Sequence, residues 1–372
     1  MSQVAFSQRQ QYANAMSPEA SKEPDKHALS EGIVLSSRVR LARNLKDTSF
    51  PGWLKKKQRV ETLQQMMPAL GKLPGMEANA QQIYMEKLTP LEKQVLVEQH
   101  LISREHAAKN AGSSVVISPE ETLSIMVNEE DHLRIQVILP GYHLRKAWDV
   151  ADRTDSELEK SLSFAFSASL GYLTACPTNV GTGLRASAMV HLPGLVISEQ
   201  INKVIKSVNQ IGLAVRGFYG EGTEALGNLF QISNQMTLGE SESEIINRLI
   251  KVVNKIIESE ANARGKLLQE RGRTVADQLG RSYGVLSNAY SISSKEALNL
   301  LSLIILGVDL GIMPATLKNK VNDLFIRTQP AHLQRAAGKK LNAEDRDAVR
   351  ADILREELRA IPAPDIAKLK IL

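Results

Sequence analysis

The feature that most limits the fold of this chain is a change of pattern near residue 260. Before it, short β-type runs recur at Ile33–Leu35, Ser114–Ile117, Leu123–Val127, Leu133–Ile138, Met189–Leu192, Leu213–Arg216 and Leu229–Ile232. Turn residues such as Pro119-Glu120, Asn128–Asp131 and Pro193-Gly194 separate them. Helical spacing interrupts these strands around 92–107 and 145–165. After it, the segments 264–280, 293–308, 315–326 and 343–361 all carry helical spacing, and Pro362 and Pro364 stop the last. The clearest helix, 243–259, gathers Ile245, Ile246, Leu249, Ile250, Val253, Ile256 and Ile257 on one face, and Ser241 with Glu244 fits a capping box at its start. The five residues between Val127 and Leu133 match a hairpin loop, so at least part of the sheet is antiparallel. The expected class is α+β: a largely antiparallel sheet with helices, then an all-helical C-terminal domain. The expected division is a polar N-terminal arm over 1–27, an α+β domain over 28–260 and a helical domain over 261–372.

Composition removes several classes. With 43% hydrophobic and 23% charged residues, the chain is not a disordered polymer. A single cysteine, Cys176, excludes an internal disulfide framework and a multi-cysteine zinc site, and suits a reducing compartment. The most apolar run, Leu303–Val308, stops at Asp309, which is too short for a membrane span, and the polar N-terminus does not resemble a secretory signal. A cytoplasmic protein is expected. The net charge of +5 suits an anionic ligand such as a nucleotide and does not demand nucleic acid.

Four segments could carry chemistry. In Ser36-Ser37-Arg38-Val39-Arg40-Leu41-Ala42-Arg43, extended geometry places Arg38 and Arg40 on one side. Two guanidinium groups there repel unless an anion or carboxylates lie between them, although a solvated charge run has the same composition. The turn Asn128-Glu129-Glu130-Asp131-His132 puts three acids before Arg134; such residues are ordinary in turns, or they supply a proton-accepting carboxylate beside an anion contact. The segment from Cys176 to Ser187 sets a lone cysteine beside Gly181 and Gly183. It fits G-x-G-x-x-A only superficially, because no strand precedes the glycines and Pro193-Gly194 leaves no room for a helix after them. A cysteine nucleophile has no local signature here, and neither H-E-x-x-H nor a P-loop occurs. Finally, Arg216-Gly217-Phe218-Tyr219-Gly220-Glu221-Gly222 ends a strand in an arginine and enters a glycine-flanked loop with one acid.

In this order, the four segments resemble the phosphagen (guanidino) kinase family over roughly residues 28 to 260, an ordinary domain length. The stretches Ser36–Asn44, Gly171–Gly194 and Arg216–Glu221 look most like its bacterial protein-arginine kinase branch, which also carries a helical C-terminal domain. The resemblance implies transfer of the ATP γ-phosphoryl group, with Mg²⁺, to arginine side chains of proteins. It implies an arginine clamp of Arg38, Arg40, Arg134, Arg185 and Arg216. It also implies an ATP site that includes Ser36, Ser37, Val39, His100, Ala186, Ser187, Ala188, Met189, Gly217, Phe218, Tyr219, Gly220 and Glu221. The same likeness makes Glu130 and Glu221 the carboxylates that align the acceptor guanidinium and take its proton. Cys176 would sit beside that guanidinium as a thiolate, tuning orientation without forming a covalent bond. No dedicated protein site for the metal is implied.

Small-molecule members carry a helical domain before the Ser-Ser-Arg-x-Arg segment. Here that segment begins at Ser36, which leaves the acceptor side open for a polypeptide. In the C-terminal region, Arg346, Asp347, Arg350 and Ala351 match the branch's R-D-x-x-R-A motif, so an allosteric phosphoarginine site is implied there, although a solvated helix face has the same spacing. The apolar helix Ala297–Leu306 suits domain core or a dimer contact. By resemblance the expected partners are a Clp ATPase and its protease, a heat-shock repressor, an activator protein and a second copy of the chain. Two other readings stand beside this one: a small-molecule guanidino kinase, and a catalytically silent phosphoarginine-binding adaptor.

Overall fold

The computed structural model describes residues 30–76, 79–217, 225–359 and 361–369. Its centre is one eight-stranded sheet in the order β2-β3-β4-β5-β1-β8-β10-β9, with every pairing antiparallel. The strands are β1 (Val34–Arg43), β2 (Gln81–Tyr84), β3 (Ser114–Ile117), β4 (Leu123–Val127), β5 (Leu133–Pro140), β8 (Leu184–His191), β9 (Leu213–Gly217) and β10 (Leu229–Asn234). A separate small hairpin pairs β6 (Phe166–Ser167) with β7 (Gly171–Tyr172). The helices flanking the strands are α1 (Lys56–Leu70), α2 (Pro90–Glu98), α3 (Arg104–Ala107), α4 (Leu144–Glu159), α5 (Pro193–Ile197) and α6 (Ile201–Gln210). Five more follow among the described residues: α7 (Glu242–Asn288), α8 (Ser294–Asp309), α9 (Leu317–Arg327), α10 (Pro330–Ala337) and α11 (Ala343–Leu358). The antiparallel sheet followed by helices is the class expected from sequence.

Strand pleat decides which face is core. Val39 and Leu41 of β1, Ile135 and Val137 of β5, and Ala186, Ala188 and Val190 of β8 are fully buried together with Ala147 and Ala151 of α4 and with Ile245, Leu249 and Val253 of α7. The alternate residues of the same strands emerge on the other face, as antiparallel sheets with one packed side allow. At the start of α7 the Ser241 hydroxyl accepts from the Glu244 N–H while the Glu244 carboxylate accepts from the Ser241 N–H, which is the expected capping box.

The helix then runs through residue 260 without interruption and departs from helical geometry only at Arg271. A division of the chain near 260 is therefore kept as our proposal, with a shared helix as the connection. Leu301, Ile304 and Ile305 of α8 are buried against Val321, Leu324, Leu354 and Leu358, so this apolar surface is interior. The expected arm over 1–27 lies outside the described residues. Among the described residues, no helix is long and apolar enough to cross a membrane.

Candidate active site

Register carries the arginines to one place. Arg40 of β1 lies directly opposite Arg185 of β8, and Arg38 lies opposite Ser187. On the other side of β1, Ala42, two residues beyond Arg40, lies opposite Arg134 of β5. Met189 pairs with Gln231, and Gln231 with Arg216 at the end of β9. Residues paired across strands, and residues two apart along one, share a face. Arg38, Arg40, Arg134, Arg185 and Arg216 therefore all rise from the face opposite the helical core. Arg43, at odd spacing from the others, falls on the core side. There it pairs with Asp155 at 2.6 Å and lies 3.5 Å from the Tyr172 ring centroid.

Among the described residues, the cluster is short of counter-charge. Arg134 is paired with Glu129 at 2.6 Å and reaches Glu130 at 3.3 Å. Arg185 donates to the Asn234 carbonyl at 2.8 Å, Arg38 donates to Gln231 Oε1 at 3.1 Å, and Nε of Arg40 is buried with no partner among the described residues. Burial, then the charge of Arg134, lowers the Arg38 guanidinium to about 10. Burial and the charges of Arg38, Arg134 and Arg185 push Arg40 well below its ordinary value. Burial and Arg216 lower Arg185 as well. Such a site favours an incoming polyanion.

Two cavities adjoin along β1 and β8. One, of about 160 Å³, is lined by Arg40, Arg134, Arg185, Glu130, Cys176 and Asn179, with Thr178 beside them. The other, of about 150 Å³, has Ser36, Arg38, His100, Ile138, Ser187 and Met189 in its walls. The step from Arg38 to Arg40, like that from Ser187 to Arg185, is two residues, or about 7 Å of strand. A ligand lying along the strands can thus occupy the apolar cavity at one end and bring a charged tail past the arginines to Glu130 and Cys176.

The acidic turn between β4 and β5 is fixed by its neighbours. Asp131 Oδ1 accepts from Asn44 Nδ2 at 2.6 Å and from the Ala175 N–H at 2.7 Å, which ties the turn both to the end of β1 and to the residue before Cys176. His132 Nδ1 accepts the Leu45 N–H at 3.1 Å. Burial, then the charge of Asp131, raises the Glu130 carboxyl from its ordinary value, with Arg134 opposing. Cys176 Sγ lies 3.1 Å from Thr178 Oγ1. The glycines beyond it serve packing: a Cβ at Gly181, where φ is +110°, would lie 2.1 Å from the Thr237 carbonyl oxygen. The strand β8 that follows them excludes a dinucleotide fingerprint.

Some expected site residues turn elsewhere. Ser37 is buried and bonded to the Gly141 carbonyl, and the side chains of Val39, Ala186 and Ala188 face the helical core, so along 36–40 and 185–189 the pleat turns only every second side chain toward the cavities. Gly217 closes β9. Phe218, Tyr219, Gly220 and Glu221 lie outside the described residues. Arg346 donates to the Leu341 carbonyl. Arg350 is buried, with its guanidinium engaged by Thr328 O, Ile292 O, Asp347 and Ser294, and Ala351 is buried beside it. Sequence reasoning missed Asp131, whose role depends on the distant Asn44 and Ala175. It also missed Asn322, Phe325 and Ile326 of α9, which line the apolar cavity and carry no local motif.

Comparison with known proteins agrees with this geometry. Residues 61–263 match the family model "ATP:guanido phosphotransferase, C-terminal catalytic domain", and residues 272–369 match "Protein-arginine kinase McsB C-terminal domain". The chain is 47% identical to a protein-arginine kinase of Brevibacillus brevis, over 90% of this chain and 94% of that one. It is 48% identical to the protein-arginine kinase of Geobacillus stearothermophilus, over 88% of this chain and 90% of that one. Among solved structures it resembles the duplicated taurocyamine kinase of Schistosoma mansoni with bound transition state analog components, with a TM-score of 0.56 and 26% identity over 72% of this chain and 39% of that one. Lombricine kinase is similar at a TM-score of 0.55 and 27% identity, over 66% of this chain and 71% of that one.

Proposed function

Because this chain belongs to the ATP:guanido phosphotransferase family, in its protein-arginine kinase branch, we propose that it transfers the γ-phosphoryl group of MgATP to arginine side chains of proteins. The observation that carries the reading is the convergence of arginines from β5, β1, β8 and β9 on one sheet face, beside a cavity that holds Glu130 and Cys176. The base occupies the apolar cavity by His100 and Met189, and the phosphates cross Arg38, Arg40, Arg134, Arg185 and Arg216.

An arginine guanidinium has no lone pair to offer until it loses a proton. Glu130 and Glu221 align the acceptor and take that proton. The new N–P bond forms as the bond from the γ-phosphorus to the β-phosphate bridging oxygen breaks, and ADP leaves. Transfer of this kind depends mainly on positioning and charge stabilisation, which rigid strands supply. The raised Glu130 carboxyl suits a proton acceptor better than an ordinary carboxylate does. Cys176 orients the guanidinium. Magnesium would be brought by the nucleotide and would supply charge neutralisation of its phosphates; among the described residues, the carboxylates of Glu129 and Glu130 beside the clamp already pair with Arg134.

The remaining parts of the proposal follow from family membership. Phosphoarginine marks proteins for a Clp protease and relieves a heat-shock repressor in the cytoplasm. An activator protein and a second copy of the chain are its partners. The Arg346, Asp347, Arg350 and Ala351 motif senses phosphoarginine, which requires Arg350 to exchange its present internal partners for the ligand. Free phosphoarginine should bind the wild type and fail to bind Arg346→Ala.

The test is incubation with radiolabelled ATP and casein, followed by comparison of label loss in acid and in base. Acid-labile, base-stable label on the protein is expected. Glu130→Ala and Glu221→Ala should each lose labelling by a factor of about 10²–10³ while ATP binding and folding survive. Faster turnover of free guanidino compounds than of any protein would favour the small-molecule reading, and near-normal rates in both variants would refute the carboxylate assignment.

A further inference from the structure

The apolar cavity is not built by the sheet alone. Asn322, Phe325 and Ile326 stand in its wall opposite Ile138, Met189 and Leu229. They belong to α9, in the helical region that begins well after β10. This helix is held from two sides. Arg350 of α11 donates through Nε to the carbonyl of Thr328, the C-cap of α9, at 2.9 Å. The next helix, α10, is anchored at its first turn by Glu98, whose carboxylate accepts from the Ala331 N–H at 2.8 Å and the His332 N–H at 3.0 Å, and meets His332 Nδ1 at 2.7 Å. Glu98 immediately precedes Gln99 and His100, which also line the cavity. The loop before β10 is fixed to α8 in the same way: the Gly227 N–H donates to Asn299 Oδ1 at 2.8 Å, and Asn228 Nδ2 to Ser302 Oγ at 2.9 Å. Leu229, the next residue, is again part of the wall. The C-terminal end of α9 is therefore fixed by Arg350, and the helix that follows it by Glu98.

We propose that α9 belongs to the nucleotide site: Phe325 packs on the face of the purine, and the Asn322 side-chain amide reads its edge. The chemistry fits, since an aromatic ring and aliphatic side chains hold a flat heterocycle between them, while an amide presents a donor and an acceptor together, as the adenine edge does. Base recognition is thus divided between the sheet, through Met189 and Ile138, and the C-terminal helices. The proposal rests on MgATP being the phosphoryl donor.

The test uses the full chain with MgATP, MgGTP and inorganic tripolyphosphate, which carries the charged tail without a base. In Phe325→Ala, the Kd and KM for MgATP should rise about tenfold, as expected for loss of a buried ring contact, with kcat and inhibition by tripolyphosphate unchanged. In Asn322→Ala, a half-buried position where refolding is less at risk, the preference for ATP over GTP should shrink several-fold. Nucleotide affinities and ATP preference equal to wild type in both variants would overturn the proposal. So would equal weakening of MgATP and tripolyphosphate in both, because the effect would then not concern the base. A wild-type chain that binds no MgATP would overturn the donor reading itself and this site with it.

Discussion

Parity along a single strand decides the chemistry of three neighbouring arginines. Arg38 and Arg40 face the site, whereas Arg43 faces the core and is neutralised by Asp155. Arg40 is the most constrained of them, with Arg38, Arg134 and Arg185 around it and a buried Nε left without a partner among the described residues. Its positive charge works against the folded state and for the ligand. Replacing buried ionic groups by well-packed apolar residues of similar volume is often neutral or stabilising by about 1–4 kcal/mol, and Arg40 has little compensation to lose. Arg40→Met should therefore raise the melting temperature by several degrees while the further stabilisation by added MgATP disappears. Thermal melts with and without nucleotide measure both effects. A variant that melts below the wild type would mean that Arg40 supports the fold rather than taxing it.

At the scale of the element, the turn between β4 and β5 does more than present Glu130. Its acids divide their contacts: Glu129 and Glu130 both reach Arg134, Glu130 also lines the cavity, and Asp131 fastens Asn44 and Ala175. Asp131→Asn keeps the shape but replaces an ionisable acceptor that serves two N–H donors, so the loop bearing Cys176 loses part of its anchor. The expected result is a fall in kcat of about tenfold or more with the KM for ATP unchanged, since a misplaced acceptor group costs rate rather than nucleotide binding. Steady-state kinetics separates the two, and a change in ATP KM alone would contradict it. The hairpin itself was legible in the sequence, because Leu123–Val127 and Leu133–Ile138 are strongly apolar and their connection is short. The strand Gln81–Tyr84 and the helices Lys56–Leu70 and Ile201–Gln210 were not anticipated. The strand exposes two glutamines at the sheet edge, and α1 carries Pro68 within it, so neither shows a clean period. The division of labour among three consecutive acids was equally hidden, because it depends on residues about 40 and 90 positions away.

Across the whole molecule, the helical region and the sheet share buried polar contacts that two independent domains would not need. His191 at the end of β8 meets Ser302 Oγ of α8 at 2.7 Å, and both residues are fully buried. Arg264 of α7 pairs with Glu260 at 2.7 Å and with Asp309 of α8 at 2.9 Å, while Lys318 of α9 reaches the other oxygen of Asp309 at 3.0 Å. Glu260 in turn accepts the Gly194 and Leu195 N–H groups at the start of α5. Cutting the chain at Arg271, where α7 leaves helical geometry, would remove Ser302, Asn299 and Asp309 together, taking from Arg264 one of its two carboxylate partners and leaving the His191 ring and the Gly227 N–H without theirs. A buried group stripped of its partner costs about 1–3 kcal/mol, and more when it is charged. A chain ending at Arg271 should therefore melt well below the full chain. With the α9 wall gone from the apolar cavity, it should also bind MgATP at least about tenfold more weakly, a loss of about 1.4 kcal/mol. Calorimetric melting and titration of the two chains side by side measure both quantities. If the shortened chain kept the full chain's stability and its affinity for MgATP, the sheet would be a self-sufficient kinase domain, and the contacts of α8 and α9 with the sheet and its apolar cavity would carry no energy.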